Sequence, residues 1–319
     1  MGWTFPDNEI SVDSLITYGA AWADVDLSTL VPVGTNFVIL HIRSSGAYVV
    51  GTRPNGSTDD ANAKATSGSP YHIYLFSPLD ANRIFEGYFE NAGLNVGIVG
   101  YTDSVESIIN ATDLTPGTTG SYQTVTAPVG SSNAAWVRLQ NTAYTAAIRK
   151  GVGISTFDWY RLSQGGLGAV VGIDSNRQFE AEVADVNQIF YYGYSPSDIV
   201  MLTTPTDKTP TTSDWTTRSC LAESGSDNVG GVIIQIAHPI TDYDDKVCQI
   251  RKNGSTDDFS ANNTKVYRNR MLFAYCGVNG SKEFQVKTNV ASDFPLFYLI
   301  GYIKSDAPPA NMSRMFMVM

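Results

Sequence analysis

The residues best suited to metal chemistry are aspartates in a hexapeptide that occurs twice. Asn55-Gly-Ser-Thr-Asp-Asp60 returns unchanged as Asn253-Gly-Ser-Thr-Asp-Asp258. Ca²⁺ takes six to eight oxygen ligands, so oxygen-rich loops of this kind can bind it. The candidate calcium ligands are Asp59, Asp60, Asp257 and Asp258. The loop lacks the spacing of an EF-hand, and Asn-Gly is also the strongest short signal for a tight hairpin turn. The sequence therefore leaves open a plain turn without a cofactor and a calcium site.

Two repeated pairs of carboxylates could in principle hydrolyse glycosides, a reaction that needs an acid and a base or nucleophile across a cleft. The pairs are Asp80 with Glu86 and Asp174 with Glu180. Because the same residues recur at the same place in successive segments, a folding role explains them more simply. Such a role would be a carboxylate capping a turn, or an arginine pairing with an acid. We predict no catalytic residue among them.

Other catalytic constellations are missing from the sequence. The three histidines, His41, His72 and His238, have no acidic partner at a helical offset and do not form a zinc motif. There is no Gly-x-Ser-x-Gly elbow, no phosphate-binding glycine loop and no dinucleotide-binding fingerprint. We expect a protein that is not an enzyme.

Paired aromatic residues are the candidates for binding sugars, because exposed rings stack on sugar faces. The candidates are Trp159 with Tyr160 and Tyr191 with Tyr192. Aromatic residues within strands more often belong to a core. The sequence therefore offers surface glycans only as an alternative partner.

The composition and charge exclude several kinds of partner. The net charge is −10, which opposes binding to a phosphate backbone, so we expect no nucleic acid partner. No window has the apolar length of a membrane span, and we expect no membrane partner. The first residues, Met1–Glu9, lack the basic region and apolar run of a secretory signal. Either a signal peptide has been removed, or the protein leaves the cell by lysis or stays inside it.

Further landmarks show that the repeat extends along most of the chain. The segment Asp80-Ala-Asn-Arg-Ile-Phe-Glu86 matches Asp174-Ser-Asn-Arg-Gln-Phe-Glu180 and, more weakly, Asn279-Gly-Ser-Lys-Glu-Phe-Gln285. Arg53 and Arg251 each stand two positions before a copy of the hexapeptide, and Arg149 begins a diverged third copy between them. Each block closes with a strand ending in Gly-Tyr, at Gly100, Gly193 and Gly301. Three modules follow, and Ser11 and Ser104 mark the expected starts of the first two.

Within a module the periodicity is that of β-strands, and no stretch has a convincing helical period. Asn36–Arg43, Ala135–Gln140 and Gly231–Ile236 are short apolar runs that we interpret as half-buried strands. We predict an all-β protein of three tandem β-sandwich modules of about 100 residues. The topology is immunoglobulin-like or jelly-roll, and the sequence does not separate the two.

The predicted division has five parts. They are an N-terminal arm (1–8), three modules (9–102, 103–195 and 196–304) and a C-terminal tail (305–319). The junctions between modules are only a few residues long, so we expect a semi-rigid rod or a compact pseudo-threefold cluster. The apolar arm, with Trp3 and Phe5, and the apolar tail end, Met315–Met319, suggest docking segments or strands tucked into the fold.

The three cysteines lie in the last third of the chain, at Cys220, Cys248 and Cys276. Their odd number and the absence of a Cys-x-x-Cys motif favour buried free thiols. A disulfide between Cys248 and Cys276 would require neighbouring strands.

The pattern of an Arg-x-Asn-Gly-Ser-Thr-Asp-Asp turn, a Phe-Glu strand and a closing Gly-Tyr strand resembles tandem β-sandwich modules of virion proteins from tailed phages and related viruses. It covers about residues 9–304. The resemblance implies capsid decoration, head-fibre or tail-associated proteins, other virion proteins as partners, and a homo-oligomer in a virion assembled in the host cytoplasm. It carries over no functional residue. A carbohydrate-binding adhesion protein at the cell surface is the alternative.

Overall fold

The computed structural model describes most of the chain. The described residues are 2–44, 46, 48–60, 64–67, 71–141, 146–150, 165–183, 188–238, 246–257, 265–266, 270–289 and 295–305. Candidates Trp159, Tyr160 and Asp258, and the tail residues 306–319, lie outside these ranges.

The first eight strands form two antiparallel four-stranded sheets, ordered β1-β8-β3-β6 and β2-β7-β4-β5. The strands are β1 (Ile10–Ser11), β2 (Trp22–Asp26), β3 (Phe37–Ser44), β4 (Tyr48–Pro54), β5 (Lys64–Ser67), β6 (Tyr71–Pro78), β7 (Ile84–Phe89) and β8 (Leu94–Thr102). A 3-10 turn at Asp13–Leu15 follows β1.

The next seven described strands form sheets ordered β9-β15-β11-β13 and β10-β14-β12. They are β9 (Glu106–Asp113), β10 (Gln123–Thr126), β11 (Ala134–Asn141), β12 (Ala146–Lys150), β13 (Gly165–Gly172), β14 (Gln178–Val183) and β15 (Gln188–Ser195).

The last eight strands repeat the first pattern, with sheets β16-β23-β18-β21 and β17-β22-β19-β20. They are β16 (Ile199–Asp207), β17 (Thr216–Ser219), β18 (Val229–His238), β19 (Lys246–Lys252), β20 (Lys265–Val266), β21 (Arg270–Gly277), β22 (Glu283–Thr288) and β23 (Leu296–Lys304). A four-residue helix α1 (Leu221–Ser224) follows β17.

This strand order decides between the two sandwich topologies. In each group the first strand lies beside the last, and successive strands mostly belong to opposite sheets. Among the described strands of the first group, only β4 and β5 are both consecutive and paired, whereas an immunoglobulin sandwich pairs several consecutive strands. The order is that of the jelly roll. The chain is an all-β protein of three tandem jelly rolls, and the module boundaries stated above remain a prediction.

The third strand of each jelly roll is buried on both faces, which corrects the expectation of half-buried strands. In β3, Val38, Leu40 and Ile42 face the core of their own sandwich. Phe37 and Ile39 on the opposite face join a second core that contains residues of all three jelly rolls. Strands β11 and β18 are buried in the same way. The neighbouring jelly rolls cover the face that a single sandwich would leave to water.

The three jelly rolls form a compact pseudo-threefold cluster and not a rod. The equivalent strands β6, β13 and β21 contact one another in every pairing. The Trp136 ring stands at their centre, with its centroid 4.8 Å from that of Phe37, 5.3 Å from Phe76 and 6.1 Å from Tyr275. These rings belong to all three jelly rolls.

We expect Trp136→Ala to lower the free energy of unfolding by about 3–5 kcal/mol, since it removes a fully buried ring from the shared core. Denaturant unfolding followed by circular dichroism measures the change. Trp22→Ala is the control, because Trp22 is half-buried on an outer sheet. An equal loss in the two variants would contradict a shared core.

Candidate functional site

The repeated hexapeptide holds the neighbouring jelly roll. At the first seam the Ser57 hydroxyl donates a hydrogen bond to Asn110 Oδ1 at 3.0 Å, and the Thr58 amide donates to the same oxygen at 2.9 Å. Asp59 Oδ2 accepts the amide N–H of Ala111 at 2.7 Å. Asn110 and Ala111 lie in β9, the first strand of the second jelly roll, so the loop fastens the first jelly roll to the second.

The second copy of the hexapeptide makes the same contacts with the start of the chain. The Ser255 hydroxyl and the Thr256 amide both donate to Asn8 Oδ1 at 2.9 Å. Asp257 Oδ2 accepts the amide N–H of Glu9 at 2.9 Å. The third jelly roll is thereby fastened to the first.

The seam between the second and third jelly rolls uses a lysine. Lys150 in β12 donates to the carbonyl oxygen of Met201 in β16 at 2.7 Å. Its counterpart Lys252 in β19 donates to the carbonyl oxygen of Phe5 at 3.3 Å. The first jelly roll therefore binds the first strand of the second, the second binds the first strand of the third, and the third binds the start of the first. The three jelly rolls close into a ring.

These contacts show where three of the four calcium candidates lie. Asp59 and Asp257 accept backbone amides across the seams, and Asp60 Oδ1 accepts the Trp22 indole N–H at 2.8 Å. Within the described residues no group of three or more His, Cys, Asp or Glu side chains could hold a metal ion. Calcium binding by Asp59, Asp60, Asp257 and Asp258 stays a prediction.

Two sugar-binding candidates lie inside the protein. Tyr191 is 2% exposed and Tyr192 is fully buried, which corrects the surface position considered for them. The Tyr191 hydroxyl hydrogen-bonds with Ser131, and the guanidinium carbon of Arg138 lies 4.9 Å from the centre of the Tyr192 ring. They are buried because their strand, β15, lies next to the central strand β11.

The repeated carboxylates have folding roles. Asp80 Oδ1 accepts the amides of Asn82 and Ile84, and Asp174 does the same for Asn176 and Gln178. The fourth residue of each turn, Arg83 or Arg177, has a positive φ that the side-chain bonds help to hold.

The glutamates of these pairs bind arginines on the adjacent strand. Glu86 binds Arg53 at 2.8 Å, and Glu180 binds Arg149 at 2.7 Å. Arg251 replaces the ion pair with a 2.8 Å hydrogen bond to Gln285. Each guanidinium also lies over the aromatic residue that opens the second strand: Trp22, Tyr122 or Trp215.

A buried polar cluster lies between the first and third jelly rolls. Glu9 contacts His41 Nδ1, and His41 Nε2 lies 2.7 Å from His72 Nδ1. Arg43 Nη1 stands 3.4 Å from the second Glu9 oxygen, and the Tyr74 ring stacks on His41. Burial raises the pKa of Glu9 to about 8 and lowers the pKa of His41 well below its usual value.

The space beside this cluster is small. Glu9, Tyr74, Lys252, Asp257 and Tyr275 border a cavity of about 20 Å³. A cavity of this size has room for about one water molecule. The cluster therefore packs against the seam between the first and third jelly rolls.

The cysteines are free and buried in this structure. Cys248 lies in β19 and Cys276 in β21, and burial raises the pKa of both thiols. The two strands belong to different sheets.

Asn8, Glu9 and Asn110 were not predicted as partners of the repeated loops. Ser11 was matched with Ser104, whereas Thr4 and Glu106 occupy equivalent places opposite Tyr101 and Tyr194. The residues that we took for an arm thus replace the beginning of a first strand. The available signal was an Asn at the equivalent position in two of the jelly rolls, Asn8 and Asn110.

No family model and no curated protein matches the sequence. A chain in the atomic structure of Sulfolobus turreted icosahedral virus is 12% identical, with 95% of this chain and 90% of that chain covered and a TM-score of 0.22. A chain described with the triple jelly roll fold and turret assembly in an archaeal virus is 10% identical, with coverage of 95% and 91% and a TM-score of 0.22.

A chain of the lipid-containing bacteriophage PM2 is 8% identical, with coverage of 92% and 94% and a TM-score of 0.17. All three matches are virus structures, the kind of particle that the sequence pattern resembles. At these TM-scores the likeness carries no argument, and the fold assignment rests on the strand order. Among the described residues, no helix has the length and apolar character needed to cross a membrane.

We expect Asn110→Ala to lower the free energy of unfolding by about 1–2 kcal/mol, because Ser57 and Thr58 lose their shared acceptor. Asn82→Ala is the control, since the Asn82 side chain is exposed. Chemical denaturation measures the free energy of unfolding of both variants. Equal values for the two would contradict a stabilising role of the Asn110 contacts at the seam.

The buried cluster predicts a pH dependence of stability. Because the pKa of Glu9 is raised on folding, the stability that its protonated form contributes is lost as pH rises from about 4.5 to about 8. Because the pKa of His41 is lowered on folding, the stability that its neutral form contributes is lost as pH falls below 6.5. Below pH 6.5 the two slopes oppose each other, and above pH 6.5 the Glu9 slope acts without the opposing His41 slope. Stability therefore falls by about 2 kcal/mol between pH 6.5 and 8.

Glu9→Gln should abolish this fall above pH 6.5, whereas Glu106→Gln, on an exposed strand position, should leave it unchanged. Melting temperatures from pH 5 to 8.5 provide the measurement. Parallel profiles for the wild type and Glu9→Gln would show that the cluster does not control the pH dependence.

Proposed function

We propose that this chain is a non-enzymatic structural protein of a virion, of the capsid decoration, minor capsid or tail-associated type, that acts as a scaffold or display surface. The jelly roll is an architecture of viral capsid proteins, although lectins and cupins share it, so the fold alone gives an analogy. The choice among these functions rests on what the side chains do.

The observation that carries the proposal is that the repeated polar residues are engaged in folding and in closing the ring. Asp80, Glu86 and Arg53 shape the outer sheet, and Asn110 and Asp59 fasten the first seam. His41 and His72 contact each other inside the buried cluster, and Glu9 of the same cluster borders a cavity that has room for about one water molecule. A rigid block with a polar surface suits a particle component.

Exposed apolar residues support attachment of this block to another protein. Val33, Val129 and Leu221 are 79%, 91% and 54% exposed. Each lies in the segment between the second and third strands of its jelly roll, with Leu221 at the start of α1. The pseudo-threefold axis relates these three segments, so they lie at the same end of the cluster.

Light scattering of the purified chain tests the proposal. We expect a homo-oligomer, and we expect Val33→Ser/Val129→Ser/Leu221→Ser to reduce its mass, because these substitutions remove the apolar contact. Ile109→Ser is the control, since Ile109 is 60% exposed but lies on β9, away from these loops. A gold-labelled antibody against this protein should label virus particles that are purified on a density gradient from cells that produce the protein. A monomer at every concentration that binds a glycan array and labels no particle would contradict the virion role and favour adhesion.

A further inference from the structure

Residues Gly2–Glu9, which we name the strap, lie along the edge of the first jelly roll and form one antiparallel β-bridge with it, between Thr4 and Tyr101. The Thr4 amide donates to the Tyr101 carbonyl oxygen at 2.9 Å, and the Tyr101 amide donates back to Thr4 at 3.0 Å. These two bonds fix the strap beside β8 and set its register. Trp3 and Phe5, which flank Thr4, then point into the core that the jelly rolls share.

The aromatic side chains of the strap enter a socket made by glycines. Trp3 and Phe5 are 3% and 7% exposed. A Cβ atom on Gly231 would stand 2.4 Å from Phe5 Cζ, and one on Gly277 would stand 2.7 Å from Phe5 Cβ. Gly100 faces the same ring, with a Cβ position 2.8 Å from Phe5 Cε1. Three strands from two jelly rolls therefore carry a glycine where they face the Phe5 ring, and a side chain at any of these positions would occupy the place of the ring.

Polar contacts hold the other end of the strap. Asn8 Oδ1 accepts three hydrogen bonds from the loop of the third jelly roll, and Glu9 N–H donates to Asp257. Lys252 Nζ bonds Asp7 at 2.7 Å. Apart from Thr4 and its partner, the groups that hold the strap come mostly from residues more than 200 positions away in the sequence.

We propose that the gap between the first and third jelly rolls is a recognition site for an extended peptide of the form Trp-x-Phe-x-x-Asn. Its occupant is the strap of the same chain. The two backbone hydrogen bonds between Thr4 and Tyr101 supply affinity. The glycine socket and the Asn8 acceptor supply specificity, as in other cases of an extended peptide added to a sheet edge. The proposal concerns the isolated chain and does not depend on a virion role.

A labelled peptide with the sequence of residues 2–10 tests this site on the full-length protein. The variant Trp3→Ala/Asn8→Ala weakens the chain's own strap and leaves the gap intact. We expect the peptide to bind this variant at least tenfold more tightly than the wild type, whose site is filled. A peptide that carries the same two substitutions should bind neither protein.

A change in the socket provides a matched control. Gly231→Ala, added to the strap variant, should abolish peptide binding, because the new Cβ would collide with the Phe5 ring of the peptide. Equal binding of the peptide to the wild type and to the strap variant would overturn the proposal. So would a strap variant that is folded by circular dichroism but binds no peptide.

Hydrogen exchange of the wild-type chain keeps the proposal testable if the strap variant does not fold. We expect the amides of Thr4, Glu9, Tyr101 and Thr256 to exchange together, and sooner than those of β3, because opening of the strap exposes all four. Exchange of these amides at unrelated rates would overturn the assignment. A wild-type dimer that added peptide converts to monomer would also overturn it, since the strap would then belong to a second copy.

Discussion

The rest of the structure depends on the burial of both faces of one strand in each jelly roll. Residues Phe37–Ile42, Ala134–Leu139 and Val232–Ala237 are almost fully buried along their whole length. One face of such a strand fills its own sandwich, and the other would expose a large apolar patch if the jelly roll stood alone. Joining three of these faces around Trp136 removes that patch from water. The apolar surface therefore drives the cluster to close.

Polar groups inside this core determine how it closes. Equivalent positions on the three central strands carry His41, Arg138 and Gln235, and all three are buried. Arg138 donates to the Thr52 carbonyl oxygen at 3.0 Å and to the Thr52 hydroxyl at 2.7 Å. The second jelly roll is thus hydrogen-bonded to the backbone and a side chain of the first. Burial lowers the pKa of Arg138. A buried guanidinium without such partners would be costly, and the pairing therefore disfavours other relative orientations of the jelly rolls.

Much of the fold could be predicted from the sequence, because its signals are local. The repeated hexapeptide, the Asp80 and Asp174 turns and the Gly-Tyr strand ends identified three β-modules. The jelly-roll order could not be predicted, since strand pairing between distant segments leaves no mark on local periodicity. The seams were missed for a related reason. Asn8 and Asn110 look like ordinary polar residues, and only the fold brings them to Ser255 and Ser57, while Tyr191 and Tyr192 look equally exposed or buried until their strand is placed in a sheet.

Calorimetry of the full-length chain tests the central claim most directly. If the three jelly rolls share one core, they unfold together, and the van't Hoff enthalpy equals the calorimetric enthalpy. The account predicts one transition with a ratio near one. Resolved transitions, or a van't Hoff enthalpy near one third of the calorimetric value, would mean that three independent domains unfold separately, and the account of a closed ring would be contradicted.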